Sequence, residues 1–209
     1  MLTVTRLEPQ KKNPQRLNVY LDGEFAFGIH RAAAPWLTEG DQLTLQKVKD
    51  LKTQDQTESA YQRALNFLSY RVRSSQEIRR NLVKHEVEDP IIEAVLERLR
   101  QASLVDDQAF ARQWVENRSQ FKPRGKKALS SELYQKGIPQ AIISETLEEL
   151  DEETLAWKCA RKKAAQYETM QKEEFQSKLY GFLNRRGFPY SICQDVVGSL
   201  WEELSKESS

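Results

Sequence analysis

Laid over one another, the segments QEIRRNLVKHEVEDPIIEAVLERL (76–99), KALSSELYQKGIPQAIISETLEEL (127–150) and SKLYGFLNRRGFPYSICQDVVGSL (177–200) superpose without a gap. Self-similarity at a fixed period narrows the possible folds more than any other pattern in this chain. In this register Ile78, Leu129 and Leu179 coincide, as do Leu82, Leu133 and Leu183, so each copy carries an apolar i, i+4 pair on one helix face. A second helix follows in every copy, because Ile92, Leu96 and Leu99 match Ile143, Leu147 and Leu150, and Cys193, Val197 and Leu200, at i, i+4, i+7. Between the helices, Gly137 and Gly187 stand where a helix C-terminus takes a left-handed residue. The first copy has Glu86 there. Pro139 and Pro189 are placed to open the next helix at its first position, whereas in the first copy Asp89 is the expected N-cap.

Each helix pair is preceded by another helical period, at 58–70, 107–119 and 154–167. The unit is therefore three helices and about fifty residues, and units in series bury their flanks against neighbours. Ahead of them lies a different region. LTVTRLEPQ, QRLNVYLDG and EFAFGIH are β-branched and aromatic runs in which Leu17, Val19 and Leu21, then Phe25, Phe27 and Ile29, alternate at period two toward a core. Asp22-Gly23 between them is a two-residue hairpin turn. LTLQKVKDL reads as a short helix and KTQDQTES as a polar connection. The expected fold is mainly α, with three tandem three-helix repeats forming an elongated curved molecule and a small N-terminal antiparallel β-sheet. The expected domains are 1–56, 57–106, 107–153 and 154–209.

Composition limits the chemistry. Hydrophobic residues make up 39% and charged residues 30% of the chain, with a mean hydropathy of −0.71, which suits helices with narrow apolar stripes and a wide wet surface. The 32 basic and 31 acidic residues leave a net charge of +1, so no global field steers the chain onto nucleic acid and any such binding must be local. No apolar run approaches the roughly 18 residues of a membrane span. A cytoplasmic protein with reduced thiols and no membrane partner is expected.

Asp106-Asp107 resembles a paired-carboxylate site but stands before Phe110, Ala111 and Trp114 as a helix N-cap would. His30 and His85 have no ligand-spaced companions. Cys193 occupies an isoleucine position of the repeat, and Cys159 has no local histidine support. Nucleophile elbow, Walker loop and dinucleotide fingerprint are missing, so neither catalysis nor a cofactor is expected. Trp114, Trp157 and Tyr134 are at core spacing.

Cations remain. Arg71, Arg73, Arg79 and Arg80 surround the middle helix of the first copy; Lys122, Arg124, Lys126 and Lys127 open that of the second; Arg161, Lys162, Lys163, Lys178, Arg185 and Arg186 mark the third. A solvated charged face is the plain reading of any one cluster. Cations at a helix start, however, oppose the macrodipole unless an anion or an acidic partner is present. Recurrence at matching points of stacked repeats would form a row suited to a polyanion or an acidic groove.

YQRALNFLSYRVRSSQEIRRNL, VDDQAFARQWVENR, KPRGKKALSSELYQKGI and FLNRRGF resemble, in order, the motifs of the bacterial RecX regulatory proteins. QKKNPQRLNVYLDGEFAFGI is similar to the β extension of longer members. The resemblance spans nearly the whole chain, with Glu86 in place of the usual glycine as one departure. It implies three tandem three-helix repeats and a monomer that lodges in the groove of the RecA–DNA filament. There it would limit filament extension, ATP hydrolysis and strand exchange in homologous recombination and DNA repair, with at most weak affinity for single- or double-stranded DNA alone. Its contact candidates are Arg71, Arg73, Arg79, Arg80, Lys122, Arg124, Lys126, Lys127, Lys178, Arg185 and Arg186. The alternative is a free-standing nucleic-acid binder whose second and third helices act as helix-turn-helix pairs.

Overall fold

The computed structural model describes residues 1–167 and 169–207. The chain divides into two units, one of Met1–Arg73 with Glu77–Val105, the other of Ser74–Gln76 with the chain from Asp106 onward.

In the first unit, strands β1 (Leu2–Gln10), β2 (Asn13–Leu21), β3 (Glu24–His30) and β4 (Gln42–Leu43) form an antiparallel sheet in the order β3-β2-β1-β4. Asp22 and Gly23 both adopt positive φ, 49° and 91°, as the predicted hairpin turn requires. Val4, Leu17, Val19, Leu21, Phe27 and Ile29 are buried, but Phe25 is 60% exposed. A register shift between Val19 and Tyr20 pairs Tyr20 with Phe25. The extra residue of that bulge turns Phe25 outward, against the period-two expectation. Its ring instead meets Tyr20 edge-on, with centroids 5.9 Å apart.

The expected short helix and polar connection are one helix, α1 (Leu45–Leu68). No glycine or proline interrupts the polar run, Thr53 and Thr57 donate their hydroxyls to carbonyls four residues back, and Asp55 accepts from Arg16 Nη2 (2.6 Å) and His30 N (2.6 Å). The run is polar because its outward face is wet and two side chains, Asp55 and Ser59, tie it to the sheet, Ser59 Oγ accepting from Arg16 Nη1 (2.7 Å). Thr44 caps this helix.

Helices α2 (Ser75–Lys84) and α3 (Asp89–Gln101) follow, and Ile78, Leu82, Ile92, Val95, Leu96 and Leu99 close a core with Ala60, Tyr61 and Ala64 of α1. The second unit holds α4 (Asp107–Phe121), α5 (Lys126–Gln135) and α6 (Gln140–Leu147) around Leu129, Leu133 and Ile143. It also holds α7 (Glu152–Ala164), α8 (Lys172–Arg185) and α9 (Tyr190–Glu207) around Phe175, Leu179, Leu183 and Cys193. Cys193 is fully buried at the isoleucine position, as the register predicts.

The turn after each middle helix is the same in all copies. Val87 N donates to Leu82 O, Ile138 N to Leu133 O and Phe188 N to Leu183 O; Glu86, Gly137 and Gly187 N–H groups bond the carbonyls three residues back. This is the Schellman pattern. Glu86 holds φ 59° beside 76° and 84° for the glycines, so the turn without glycine keeps the same geometry and bears the strain. Glu86→Gly is expected to raise stability by about 0.5–1 kcal/mol, since the left-handed cost of a side chain exceeds glycine's extra unfolded-state entropy. A denaturant midpoint unchanged or lower would contradict this. The helices after these turns begin one residue away from expectation: Glu88 takes the N-cap of α3 with Asp89 and Pro90 inside, and Pro139 is itself the N-cap of α6. A proline lacks a donor at either position, so both placements satisfy the backbone.

Candidate interaction surface

The start of α5 is built from three elements of the second unit. Gly125, its N-cap, offers no side chain, and the orphan donors of a helix start need acceptors. Gly125 N donates to Arg186 O (3.0 Å) and Lys126 N to Glu152 Oε1 (2.7 Å). The same wiring recurs at Ser74–Gln76, where Ser74 Oγ donates to Lys136 O (2.6 Å) and Ser75 N to Asp107 Oδ1 (2.8 Å). Asp107 and Glu152, each the first residue of its own helix, thus satisfy the start of a different one. Asp106 caps α4 through Gln108 N and Ala109 N, which assigns both members of the acidic pair to folding.

Most of the predicted contact cations have internal partners. In the first unit, Arg71 makes a bidentate pair with Glu77 (2.9 and 3.0 Å). Arg79 pairs with Glu93 and lies 3.6 Å from Asp89. Arg73 lies over the Phe67 ring at 4.0 Å, and burial, then the charge of Arg71, lowers its pKa. Arg80 is exposed. In the second unit, Arg124 Nε stands 2.9 Å from Glu132 Oε1, in a distance fit for an ion pair but without the alignment of a hydrogen bond. The same carboxylate accepts from Trp114 Nε1 and Arg118 Nε. Lys126 Nζ donates to Glu148 O, Lys178 pairs with Glu174 one turn away, and Arg186 donates to Pro123 O while covering the Phe182 ring. Among the described residues Lys122, Lys127 and Arg185 are exposed and bond to no acidic side chain.

Two of these meet. Lys127 and Arg185 line one groove of about 660 Å³ together with Lys126, Ser131, Asn184 and Tyr190. Glu152 also reaches this groove, but its Oε1 is held by Lys126 N. Gly187 closes over Ala128 so tightly that a Cβ there would stand 2.6 Å from Ala128 N, which brings the α8–α9 turn onto the first turn of α5.

The thiols take no part. Cys159 is buried beside Pro123 O, and burial raises its pKa against the opposing charge and hydrogen bond of Arg186. Burial raises that of Cys193 as well. Both stay protonated near neutrality and neither is a nucleophile. His30 Nδ1 accepts from Ala32 N, and no group of acidic, histidine or cysteine side chains among the described residues could hold a metal ion. No helix among the described residues is long and apolar enough to cross a membrane.

Exposed aromatics escaped the sequence reading. Tyr134, expected in the core, is 70% exposed, whereas Trp114 is half-buried on Phe110 and Trp157 packs against the third core. Tyr70 and Phe121, 77% and 64% exposed, occupy equivalent positions if the repeat register is extended upstream. That register also aligns Arg71 with Lys122 and Arg73 with Arg124, a signal available without any structure.

Family models match in chain order: the regulatory protein RecX N-terminal domain over 2–44, then the first, second and third three-helix domains of RecX over 60–99, 106–147 and 151–197. The chain belongs to the RecX family. It is 30% identical to regulatory protein RecX of Bacillus velezensis, over 98% of this chain and 78% of that protein. It is 29% identical to the Clostridioides difficile protein of the same name, over 94% of this chain and 95% of that one. Among solved structures, one of regulatory protein RecX superposes with a TM-score of 0.76 at 28% identity, covering 94% of this chain and 98% of that one. RecX from Lactobacillus salivarius superposes with a TM-score of 0.63 at 25% identity, covering 70% and 97%. The tandem three-helix fold predicted from the repeats is thus that of the family, and this RecX chain is a regulatory protein by kinship.

Proposed function

We propose that this chain is a non-catalytic regulator of homologous recombination that binds the RecA–DNA filament and restrains its extension, ATP hydrolysis and strand exchange. Membership of the RecX family supports the regulatory role, and the convergence of Lys127 and Arg185 on one groove without a carboxylate partner carries the choice of surface. Unpaired cations fit an acidic protein surface or a phosphate backbone, and several such contacts along one chain multiply on a repeating polymer. Lys122 extends the same set. Arg71, Arg79 and Lys178 are spent on internal ion pairs and contribute less.

Added at substoichiometric amounts to RecA on single-stranded DNA, the chain is expected to lower filament length and ATP hydrolysis. Lys127→Glu with Arg185→Glu should raise the half-maximal inhibitory concentration about tenfold or more, with helix content by circular dichroism unchanged. Inhibition equal to wild type would remove this groove from the contact. No effect of the wild-type chain on either readout would end the filament reading.

The helix-turn-helix alternative is disfavoured by charge. The third helices present Glu93 and Glu97 beside Arg98 and Arg100 on α3, Glu145 on α6, and Asp195 and Glu202 on α9 to solvent, whereas a recognition helix offers donors to bases and cations to phosphates. Tight binding of double-stranded DNA without RecA and with a steep salt slope would favour that alternative.

A further inference from the structure

Tyr190 borders two depressions. One is the basic groove; the other, about 360 Å³, is lined by Gln176, Ser177, Tyr180, Gln194, Val197 and Gly198. The Tyr180 and Tyr190 rings meet edge to face with centroids 5.6 Å apart, and Gln194 Nε2 donates to the Tyr190 hydroxyl. Tyr190 nevertheless remains 62% exposed.

Gly198 lies inside α9, where glycine weakens a helix. Nothing in the packing demands it, because a Cβ there would meet no atom within 4 Å. The same register position holds Glu97 and Glu148 in the other repeats. Only the third repeat leaves this place empty, and the space stands next to an open aromatic ring and two primary amides.

The two depressions together therefore offer cations and an amide (Lys127, Arg185, Asn184) at one end. At the other they offer a stacking face and hydrogen-bonding edges (Tyr190, Gln176, Gln194). An acidic peptide would be served by the cations but would use neither the ring nor the slot. A planar heterocycle tied to an anion uses both, since aromatic side chains stack bases and amides bond their edges.

We propose that this part of the third repeat binds a nucleotide unit, with its phosphate at Lys127 and Arg185 and its base against Tyr190 over Gly198. A free nucleotide and one residue of a single strand present the same chemistry. The site goes beyond the filament reading, and its test contains no RecA, so failure here leaves that reading standing.

The test titrates the full chain with AMP, with a fluorescently labelled dT12 strand, with inorganic phosphate and with a poly-glutamate peptide, by calorimetry and anisotropy. At least one of AMP and dT12 should bind more tightly than phosphate and should outcompete poly-glutamate. Binding of AMP assigns a free nucleotide, and binding of dT12 alone assigns a strand. Gly198→Met, which fills the slot while improving helix propensity, should weaken that binding about tenfold or more, and Tyr190→Ser should do the same, with circular dichroism unchanged. Lys127→Glu should weaken nucleotide and phosphate alike. The proposal is overturned if neither nucleotide probe binds, if phosphate or poly-glutamate binds as well, or if folded Gly198→Met and Tyr190→Ser both bind as wild type.

Discussion

Gly187→Ala is expected to destabilise the second unit by about 1.5–4 kcal/mol, read as a fall in urea midpoint with little change in m value. Two costs add. The residue sits at φ 84°, a left-handed conformation that costs an L side chain roughly 1–2 kcal/mol, or about 0.5–1 kcal/mol net of glycine's larger unfolded-state entropy. The new methyl would also stand 2.6 Å from both Ala128 N and Ala128 Cβ, and neither can swing aside as a flexible side-chain end would, so backbone has to move at about 1–3 kcal/mol. Gly40→Ala separates the terms, because Gly40 has φ 95° and open space around its Cβ. It should cost only the backbone share net of glycine's unfolded-state entropy, about 0.5–1 kcal/mol. Equal losses in the two variants would show that the close approach of the α8–α9 turn to α5 contributes nothing. Because the same approach carries Arg185 to Lys127, Gly187→Ala should also impair RecA inhibition at temperatures where the variant remains folded.

The contrast between these glycines shows what can be read from a sequence and what cannot. Gly137 and Gly187 announce their turns because a left-handed helix end selects glycine, and the turns were legible. Glu86 hides an identical turn behind an ordinary residue, and only the hydrogen bonds Glu86 N to Val83 O and Val87 N to Leu82 O reveal it. Period and apolar spacing located the buried Ile78, Leu82, Leu129, Leu133, Leu179 and Leu183. They failed at Phe25, because a bulge inserts one residue and exchanges the faces of a strand. They failed again between Lys52 and Ser59, where α1 keeps its helix through a polar run tied down by a tertiary contact of Asp55. The acids at the helix junctions were only half legible: local spacing marked Asp107 as a helix-start residue, but the N–H it accepts belongs to Ser75, 32 positions away. Charge clusters were visible as composition. Which cation is left unpaired depends on distant carboxylates, so the pair Lys127 and Arg185 could be found only in three dimensions.

Arg98→Ala should cost about 2–3 kcal/mol near neutral pH, and that cost should shrink in acid. Glu58 is 5% exposed and accepts from Arg98 Nη1 at 2.7 Å and Gln62 Nε2 at 2.8 Å, while the guanidinium covers the Tyr61 ring at 3.6 Å. Burial alone would raise the Glu58 pKa, but the hydrogen bonds from Arg98 and Gln62 and the Arg98 charge outweigh it and hold the pKa below its ordinary value of 4.5. A depressed carboxyl pKa stabilises the fold above the unfolded pKa, and that contribution is lost as pH falls through the folded value. Removing a partner of a buried charge typically costs about 3–5 kcal/mol. The figure here is reduced because Arg98 is itself half-exposed and screened. Without Arg98, burial is opposed only by the Gln62 hydrogen bond and the His30 charge, and the Glu58 pKa rises from its depressed position. The carboxylate then contributes less than in the wild type, so the variant's deficit should be smallest below about pH 4 and should grow as pH rises toward neutrality. Glu58→Gln in the Arg98→Ala background should flatten that dependence by removing the titrating group. Urea denaturation of the wild type and the two variants from acid to neutral pH measures this, and a pH-independent deficit for Arg98→Ala would mean that Arg98 stabilises the fold only by packing on Tyr61.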